Sequence, residues 1–334
     1  MTVTESTASR GIELLGVTKS FGSNHVLTDV TAHLPADRIY GLLGANGVGK
    51  TTLMALITNH AFRSSGSILV DGEDPDENAA VRERMCFVRE DQKYNDAFSV
   101  KDILRVAPAF YPSWASETAD RLTERFRLPL TTKSKRLSRG QRSALAIVVT
   151  LASRAAYTFL DEPYLGLDAS ARTIFYEELV AEYAAHPRTI LLSTHLIDEA
   201  APLLEEVLIL DQGRIVLQTD IDEASRGSFV VRGRESDVLD FVGGRALLTQ
   251  RRLGGLLSVT VRGELNNEEH RRADELRLSV EPTSLQEFVA ALGIHALDQS
   301  APQNQTEKAP ATAGTFPTGT PLFAKFRVKA LDGH

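Results

Sequence analysis

Residues 44–52 constrain this chain more than any other stretch, because they read GANGVGKTT and fit the phosphate-binding pattern G-x-x-x-x-G-K-[ST]. The apolar run Ile39 to Leu43 before it predicts a buried strand, and Thr51 to Thr58 after it is compatible with a helix. This strand–loop–helix context makes the pattern credible and predicts a nucleotide-binding α/β protein. The alternative is a glycine-rich turn that binds nothing.

The residue types of this loop suit a triphosphate. Glycines let the backbone curl so that successive N–H groups face phosphate oxygens, and the following helix presents its positive N-terminus to the same anion. Lys50 adds a cation for the β- and γ-phosphates, and Thr51 offers a hydroxyl to Mg²⁺. The predicted nucleotide contacts in the loop are Gly44, Ala45, Asn46, Gly47, Val48, Gly49, Lys50, Thr51 and Thr52.

Length and charge narrow the class of protein. The 334 residues suggest about two domains, and the net charge of -7 argues against bulk nucleic-acid binding. Cys86 is the single cysteine, so no internal disulfide can form. No apolar run reaches the roughly 18 residues of a membrane helix, and the N-terminus lacks a signal-type apolar core. We therefore expect a cytosolic protein whose membrane role, if any, requires a partner.

Acidic residues follow a second apolar run, Tyr157 to Leu160. Ligands of open α/β sheets bind at the carboxyl ends of the strands, so Asp161 is placed to hold Mg²⁺ and Glu162 to orient or deprotonate water. His195 follows the predicted strand Thr189 to Ser193 and could donate a hydrogen bond to a γ-phosphate. The alternative for His195 is a structural histidine.

Two further features allow both a functional and a structural interpretation. Phe21 precedes a glycine between the predicted strands Ile12 to Val17 and Val26 to Leu34, and could stack on adenine or belong to the core. Ser138 and Gln141 have the spacing of a helix capping box, which could be no more than a cap.

Taken together, the motifs resemble the nucleotide-binding domain of an ABC transporter, over residues 11–225 with a helical insertion at about 93–152. The resemblance rests on a Walker A motif at 44–52, a signature LSRGQ at 137–141, a Walker B motif ending in Asp161 and Glu162, a D-loop at 166–168, and the switch His195. The resemblance implies the fold class, which is α/β: a P-loop NTPase of ABC type.

The resemblance also implies roles for individual residues. Glu162 matches the catalytic base, and Lys50 and His195 match residues that contact the γ-phosphate during hydrolysis. Phe21 matches the adenine-stacking aromatic, and Asp168 matches a residue that communicates across a dimer. The signature residues that would close on ATP bound to the opposite subunit are Ser138, Gly140 and Gln141. Two domains, identical or different, would pair head to tail around ATP and Mg²⁺, and hydrolysis would reopen them.

One departure concerns the metal shell. The family usually has Gln after the strand at Met85, but alignment of Phe87 and the 98–100 run places Glu90 there, with Gln92 two residues late. The predicted metal set is therefore Thr51, Asp161 and Glu90, with Gln92 an alternative for the sensor role. A Glu at this position resembles export-type members.

A second feature of the export-type resemblance is the aromatic cluster Phe110, Tyr111 and Trp114. These aromatics could receive a permease helix or form the core of the insertion.

The C-terminal third does not match the ATPase core. Strands at 229–232, 256–261 and 276–280 and helices at 268–276 and 284–292 predict a small α/β appendix over residues 226–295. Proline-rich residues 296–321 predict a disordered linker, followed by a tail that ends at residue 334.

These observations favour an ATP-hydrolysing subunit that powers transport, with export favoured, through a separate transmembrane permease at the inner face of the cell membrane. The alternatives are a soluble mechanical ATPase of the same superfamily and a nucleotide-gated regulator with low turnover. No nucleic-acid partner is expected, because the chain has no basic stripe.

Overall fold

The structure is a computed structural model that describes residues 10–89 and 91–291. Glu90 and the predicted linker and tail at 296–334 therefore lie outside the described residues.

The strands of the described chain fall into three sheets. They are β1 (Gly11–Phe21), β2 (Asn24–Pro35), β3 (Ile39–Leu43), β4 (Ser65–Val70), β5 (Met85–Val88), β6 (Tyr157–Asp161), β7 (Thr189–Ser193), β8 (Glu206–Asp211), β9 (Arg214–Asp220), β10 (Ser228–Arg234), β11 (Leu247–Leu253), β12 (Leu256–Arg262) and β13 (Ser279–Pro282). The first sheet has the order β2-β1-β4, the second β5-β6-β7-β3-β8-β9, and the third β11-β12-β10-β13.

Helices connect most of these strands. They are α1 (Lys50–Ile57), α2 (Ala79–Arg82), α3 (Val100–Val106), α4 (Ser116–Arg125), α5 (Arg139–Ser153), α6 (Ala169–Ala185), α7 (Ile197–Ala200), α8 (Ile221–Arg226), α9 (Glu235–Val242), α10 (Asn267–Glu275) and α11 (Leu285–Ala291). The segment predicted as a helical insertion contains α3 and α4, separated by a turn that contains Pro112.

The six-stranded sheet positions the candidate site. Its strands β5, β6, β7, β3 and β8 run parallel, and β9 is antiparallel to β8. Strands β3, β6 and β7 are buried along their whole length, which explains why most of their residues are apolar. Leu43 faces a core shared with α5 and α6, whereas Leu42 faces a core shared with α1 and the first sheet. The carboxyl ends of β3, β6 and β7 therefore lie side by side.

The aromatic cluster of the insertion belongs to its core. Tyr111 is 6% exposed, and its ring stacks on Trp114 with centroids 6.4 Å apart. Phe110 and Trp114 pack against the same hydrophobic core. The core interpretation of these aromatics is thus the one that the packing favours.

The C-terminal residues form a βαββαβ arrangement, in which α9 and α10 connect strands of an antiparallel sheet. The strand predicted at 276–280 is present, but its predicted start is three residues too early: β13 begins at Ser279, because Leu276 is the C-cap of α10 and Arg277 adopts a positive φ of 57°. Helix α9 and strand β11 were not predicted. The predicted helix at 268–276 is confirmed as α10, and that at 284–292 as α11 within the described residues.

Candidate nucleotide site

The loop between β3 and α1 has the backbone that a phosphate cradle needs. Gly44, Gly47 and Gly49 have positive φ values of 151°, 81° and 117°. Gly49 is the N-cap residue of α1 and provides no side-chain hydrogen bond to the first turn of the helix. The N–H groups that begin α1 are therefore available to an anion, as expected for a phosphate-binding helix.

Lys50 lies folded across this loop. Its Nζ donates hydrogen bonds to the carbonyl oxygens of Gly44 at 2.7 Å and Ala45 at 3.2 Å. Burial lowers the pKa of the Lys50 ammonium, while the neighbouring carboxylates of Glu162 and Asp161 partly offset this effect. An anion bound in the loop would stabilise the charged form of Lys50 further.

Asp161 joins the phosphate loop to the neighbouring strands. Thr51 Oγ1 donates to Asp161 Oδ2 at 2.5 Å, and Ser193 Oγ donates to Asp161 Oδ1 at 2.6 Å. The two predicted metal-site oxygens, one hydroxyl and one carboxylate, are thus in contact. Mg²⁺ prefers hard oxygen ligands and usually keeps waters and substrate phosphates in its shell, so this small donor set fits the ion. Within residues 10–89 and 91–291, no three His, Cys, Asp or Glu side chains form a metal cluster.

Glu162 and His195 form a pair at the ends of β6 and β7. His195 Nδ1 lies 2.7 Å from Glu162 Oε2, and the backbone N–H of Glu162 donates to Ser193 Oγ at 3.1 Å. Glu162 is buried and adopts a positive φ of 48°. Its second carboxylate oxygen, Oε1, is buried and has no hydrogen-bond partner among the described residues. An unpartnered carboxylate oxygen beside a phosphate loop can accept a proton from water.

Two residues of this site were missed by the sequence analysis. Ser193 contacts both Asp161 and the Glu162 backbone. Tyr164 is buried and donates its hydroxyl proton to Glu162 Oε2, and the same hydroxyl lies 2.8 Å from Thr194 Oγ1 and 3.1 Å from His195 Nδ1. The available signal was a polar aromatic within the loop that follows Glu162, but its hydrogen-bond partners just after β7 could not be inferred from the sequence.

The signature residues begin helix α5. Ser138 and Gln141 form the predicted capping box: Ser138 Oγ accepts from Gln141 N at 3.2 Å, and Gln141 Oε1 accepts from Ser138 N at 3.0 Å. A side chain at Gly140 would place its Cβ 2.5 Å from the carbonyl oxygen of Gly166. Helix α5 therefore rests directly on the loop that links β6 to α6. Asp168 caps α6, since its Oδ1 accepts from Ala171 N at 2.8 Å.

Three further predicted site residues lie on other elements or outside the described residues. Phe21 ends β1, is half-buried, and has the Lys19 ammonium 4.6 Å from its ring centroid. Gln92 lies in the loop after β5, where its N–H donates to the carbonyl of Arg89 at 3.0 Å. The predicted metal role of Glu90 is not tested, because Glu90 lies outside the described residues.

Comparison with known proteins places the site in a family. Residues 27–165 match the family model described as "ABC transporter". The chain is 31% identical over 212 residues to "ABC transporter ATP-binding protein YtrB" of Bacillus subtilis, a match that covers 64% of this chain and 73% of that protein. The chain belongs to the ABC transporter ATP-binding proteins. It is thus an ATPase of the class coupled to transport.

Relatives within this family differ in the direction of transport that their names give. "Nod factor export ATP-binding protein I" of Rhizobium leguminosarum bv. viciae is 32% identical over 213 residues, or 62% of this chain and 68% of that protein. "Aliphatic sulfonates import ATP-binding protein SsuB 1" of Rhizobium johnstonii is 31% identical over 218 residues, or 64% of this chain and 78% of that protein.

A solved structure supports the fold of this ABC protein. "Structure of ATP binding subunit of ABC transporter" superposes with a TM-score of 0.59 and 25% identity, and covers 65% of this chain and 92% of the other. The predicted ABC-type α/β fold is thereby confirmed.

In the described part of the chain, no helix is both long and apolar enough to span a membrane.

Proposed function

We propose that this subunit hydrolyses ATP with Mg²⁺ at the carboxyl ends of β3, β6 and β7, and that Glu162 is the general base. The observation that carries the proposal is the placement of the Glu162–His195 pair beside Asp161, which the phosphate-loop residue Thr51 contacts directly. A proton acceptor, a metal-binding oxygen pair and a phosphate cradle thus share one edge of the sheet.

Each residue then has a defined task. The loop N–H groups and Lys50 bind the β- and γ-phosphates, and Thr51 and Asp161 hold Mg²⁺, which neutralises phosphate charge when bound. Glu162 accepts a proton from water as the water oxygen bonds to the γ-phosphorus and the bond to the ADP oxygen breaks. His195, fixed through Nδ1 by Glu162, presents its other ring edge to the γ-phosphate. Phe21 stacks on the adenine.

The second half of each site comes from another subunit in this proposal. Ser138, Gly140 and Gln141 begin α5 and would close on the γ-phosphate of ATP bound to the opposite protein. Because the γ-phosphate bridges the two subunits, its removal weakens the closed pair. The contact of Gly140 with Gly166 supports this arrangement, since it fixes the α5 N-terminus to the loop that carries Glu162.

The membrane partner and the direction of transport are further parts of the proposal. We place this chain at the inner face of the cell membrane, bound to a separate transmembrane permease, and favour export. Support for export comes from the similarity to a Nod factor export protein, whereas the similarity to a sulfonate import protein supports the opposite direction. Pull-down of the full chain from membranes tests for the permease. Recovery of the chain without any multi-span protein would contradict the proposed permease partner.

Replacement of Glu162 tests the chemical step. Glu162→Gln should lower ATP turnover by about 100-fold or more while Mg·ATP binding persists, because the base is lost and the cradle is retained. The closed pair should then accumulate as an ATP-dependent dimer in size-exclusion chromatography. Glu124→Gln, on the exposed face of α4, is the matched control and should behave as wild type.

The outcome also separates the alternatives. If wild type and Glu162→Gln hydrolyse ATP equally slowly but both bind it, the chain is a nucleotide-gated regulator and the proposed chemistry is wrong. Loss of binding in Lys50→Ala, measured with a fluorescent ATP analogue, checks that the nucleotide occupies this loop.

A further inference from the structure

We propose that Tyr164 is the positioning residue of this site, whose hydroxyl ties the Glu162 carboxylate to the Thr194–His195 segment. The inference rests on the proposed role of Glu162 as general base. Tyr164 is 2% exposed, and it acts by fixing the carboxylate that receives the proton from water.

The hydrogen bonds of the Tyr164 hydroxyl have one consistent direction. The backbone N–H of His195 can only donate, and it lies 2.9 Å from the Tyr164 oxygen. An ionised Glu162 carboxylate can only accept, so the hydroxyl proton points to Glu162 Oε2. Thr194 Oγ1, at 2.8 Å, then donates to the second lone pair of the tyrosine oxygen. One proton and two lone pairs are thereby all used.

This arrangement leaves the two carboxylate oxygens of Glu162 in different states. Oε2 accepts hydrogen bonds from the Tyr164 hydroxyl and from His195 Nδ1. Oε1 is buried without a partner among the described residues. Because Oε2 is held by two donors, the carboxylate cannot rotate freely, and Oε1 is the oxygen that remains to receive the proton of the attacking water.

The location of Tyr164 makes its hydroxyl a bridge between two strands. Glu162 and Tyr164 follow β6, whereas Thr194 and His195 follow β7. Burial raises the pKa of Tyr164 well above its ordinary value, and Glu162 adds to this effect, so the hydroxyl remains a neutral donor. A phenylalanine at this position would keep the ring in place and remove only the bridge.

Tyr164→Phe is therefore the decisive variant, assayed in the full chain with Mg·ATP. We expect kcat to fall about 10- to 100-fold, the effect of losing a hydrogen bond to a charged group that matters in the transition state. KM for ATP and the affinity for a non-hydrolysable ATP analogue should stay within about twofold, because the cradle is untouched. A wild-type kcat, or a rise in KM that accounts for the whole effect, overturns the proposal.

Tyr176→Phe provides the matched control. Tyr176 lies on α6, and its buried hydroxyl has no hydrogen-bond partner among the described residues. Removal of this hydroxyl should leave kcat unchanged. An equal loss of kcat in both variants would mean that any buried hydroxyl has this effect, and would overturn the specific role of Tyr164.

A double-mutant cycle separates this inference from the function on which it rests. If Tyr164 acts through Glu162, Tyr164→Phe should lower the single-turnover rate of the Glu162→Gln protein by less than twofold. If Tyr164→Phe lowers the rate of the Glu162→Gln protein by the same factor as it lowers the rate of wild type, the positioning role is wrong. A Glu162→Gln protein that hydrolyses ATP as wild type instead contradicts the base itself. Should Tyr164→Phe fail to fold, Thr194→Val releases the hydroxyl from its other side, and an unchanged kcat there overturns the proposal.

Discussion

At Gly44 the phosphate loop passes close to the end of strand β8. A Cβ atom at this position would lie 2.3 Å from the carbonyl oxygen of Leu210, and the backbone φ of 151° is one that other residues rarely adopt. Gly44→Ala should therefore lower the free energy of unfolding by about 3 kcal/mol or more. Urea titration measures the loss, and ATP binding should weaken with it because the loop must shift.

Gly47→Ala separates the cost of a steric clash from the cost of the backbone conformation. Gly47 has a positive φ of 81° but no atom within 4 Å of its added Cβ. The expected cost is about 1–2 kcal/mol, which reflects the left-handed backbone alone. Equal costs at the two positions would contradict the claim that the contact with Leu210 restricts Gly44.

Residues of a contiguous motif were predictable, whereas the hydrogen bonds that Tyr164 and Ser193 make from one strand end to another were not. The loop at 44–52 is contiguous, so its glycines, Lys50 and Thr51 can be recognised in the sequence. The hydrogen bonds of Tyr164 to Thr194 and His195 arise because β6 pairs with β7. The order of strands in a sheet cannot be inferred from the sequence of either strand. The capping box at Ser138 was predicted because it needs only neighbouring residues.

Helices α4 and α6 are joined by an ion-pair network around a buried carboxylate. Glu178, 2% exposed, accepts hydrogen bonds from Arg121 and Arg125. Burial alone would raise the pKa of Glu178, but the two guanidinium groups outweigh it and lower the pKa below its ordinary value. A carboxylate with a lowered folded pKa adds stability above its unfolded pKa of about 4.5 and loses it as pH falls further.

Glu178→Gln should thus cost stability in a pH-dependent way. We expect about 1–3 kcal/mol at neutral pH, less than for a fully buried pair because the arginine side chains are partly exposed. The difference from wild type should shrink as pH falls below the unfolded pKa of about 4.5 and wild-type Glu178 becomes protonated. Thermal unfolding across this range measures it.

Glu177→Gln is the control for the Glu178→Gln substitution. Glu177 also pairs with Arg125, at 2.9 Å, but its side chain is 56% exposed. Solvent screening should keep its effect below about 0.5 kcal/mol at every pH. A similar cost for both substitutions would show that burial of Glu178 adds nothing.

Elements of the C-terminal residues were harder to predict than those of the ATPase core. Strand β11 lies at the edge of its sheet, and its side chains are mostly exposed, so it lacks the apolar alternation that marks a half-buried strand. Pairing with β12 holds it in place instead. Core strands such as β7 are buried at every position, and β7 was predicted with its bounds correct.

At the scale of the whole molecule, α11 links the C-terminal sheet to the ATPase core. Arg232 of β10 bonds Glu287 of α11 at 2.9 Å, while Leu285 and Val289 belong to the core that includes Ile197 of α7. The backbone N–H of Gln286 also donates to Asp198 Oδ1 at 3.3 Å. Helix α7 begins two residues after His195, so α11 packs on the element that follows the proposed γ-phosphate contact. The division of the chain at residue 226 stays a prediction.

Truncation of one α11 side chain should loosen this link. Leu285 is 3% exposed, and Leu285→Ala removes apolar contacts worth about 2–4 kcal/mol. Hydrogen exchange should accelerate in α7 and α11 together, because each covers the other. Gln286→Ala, at the exposed neighbouring position, keeps the backbone bond to Asp198 and should leave exchange unchanged. Faster exchange in α11 alone would contradict the link, since it would show that α7 is held by the ATPase core without the C-terminal helix.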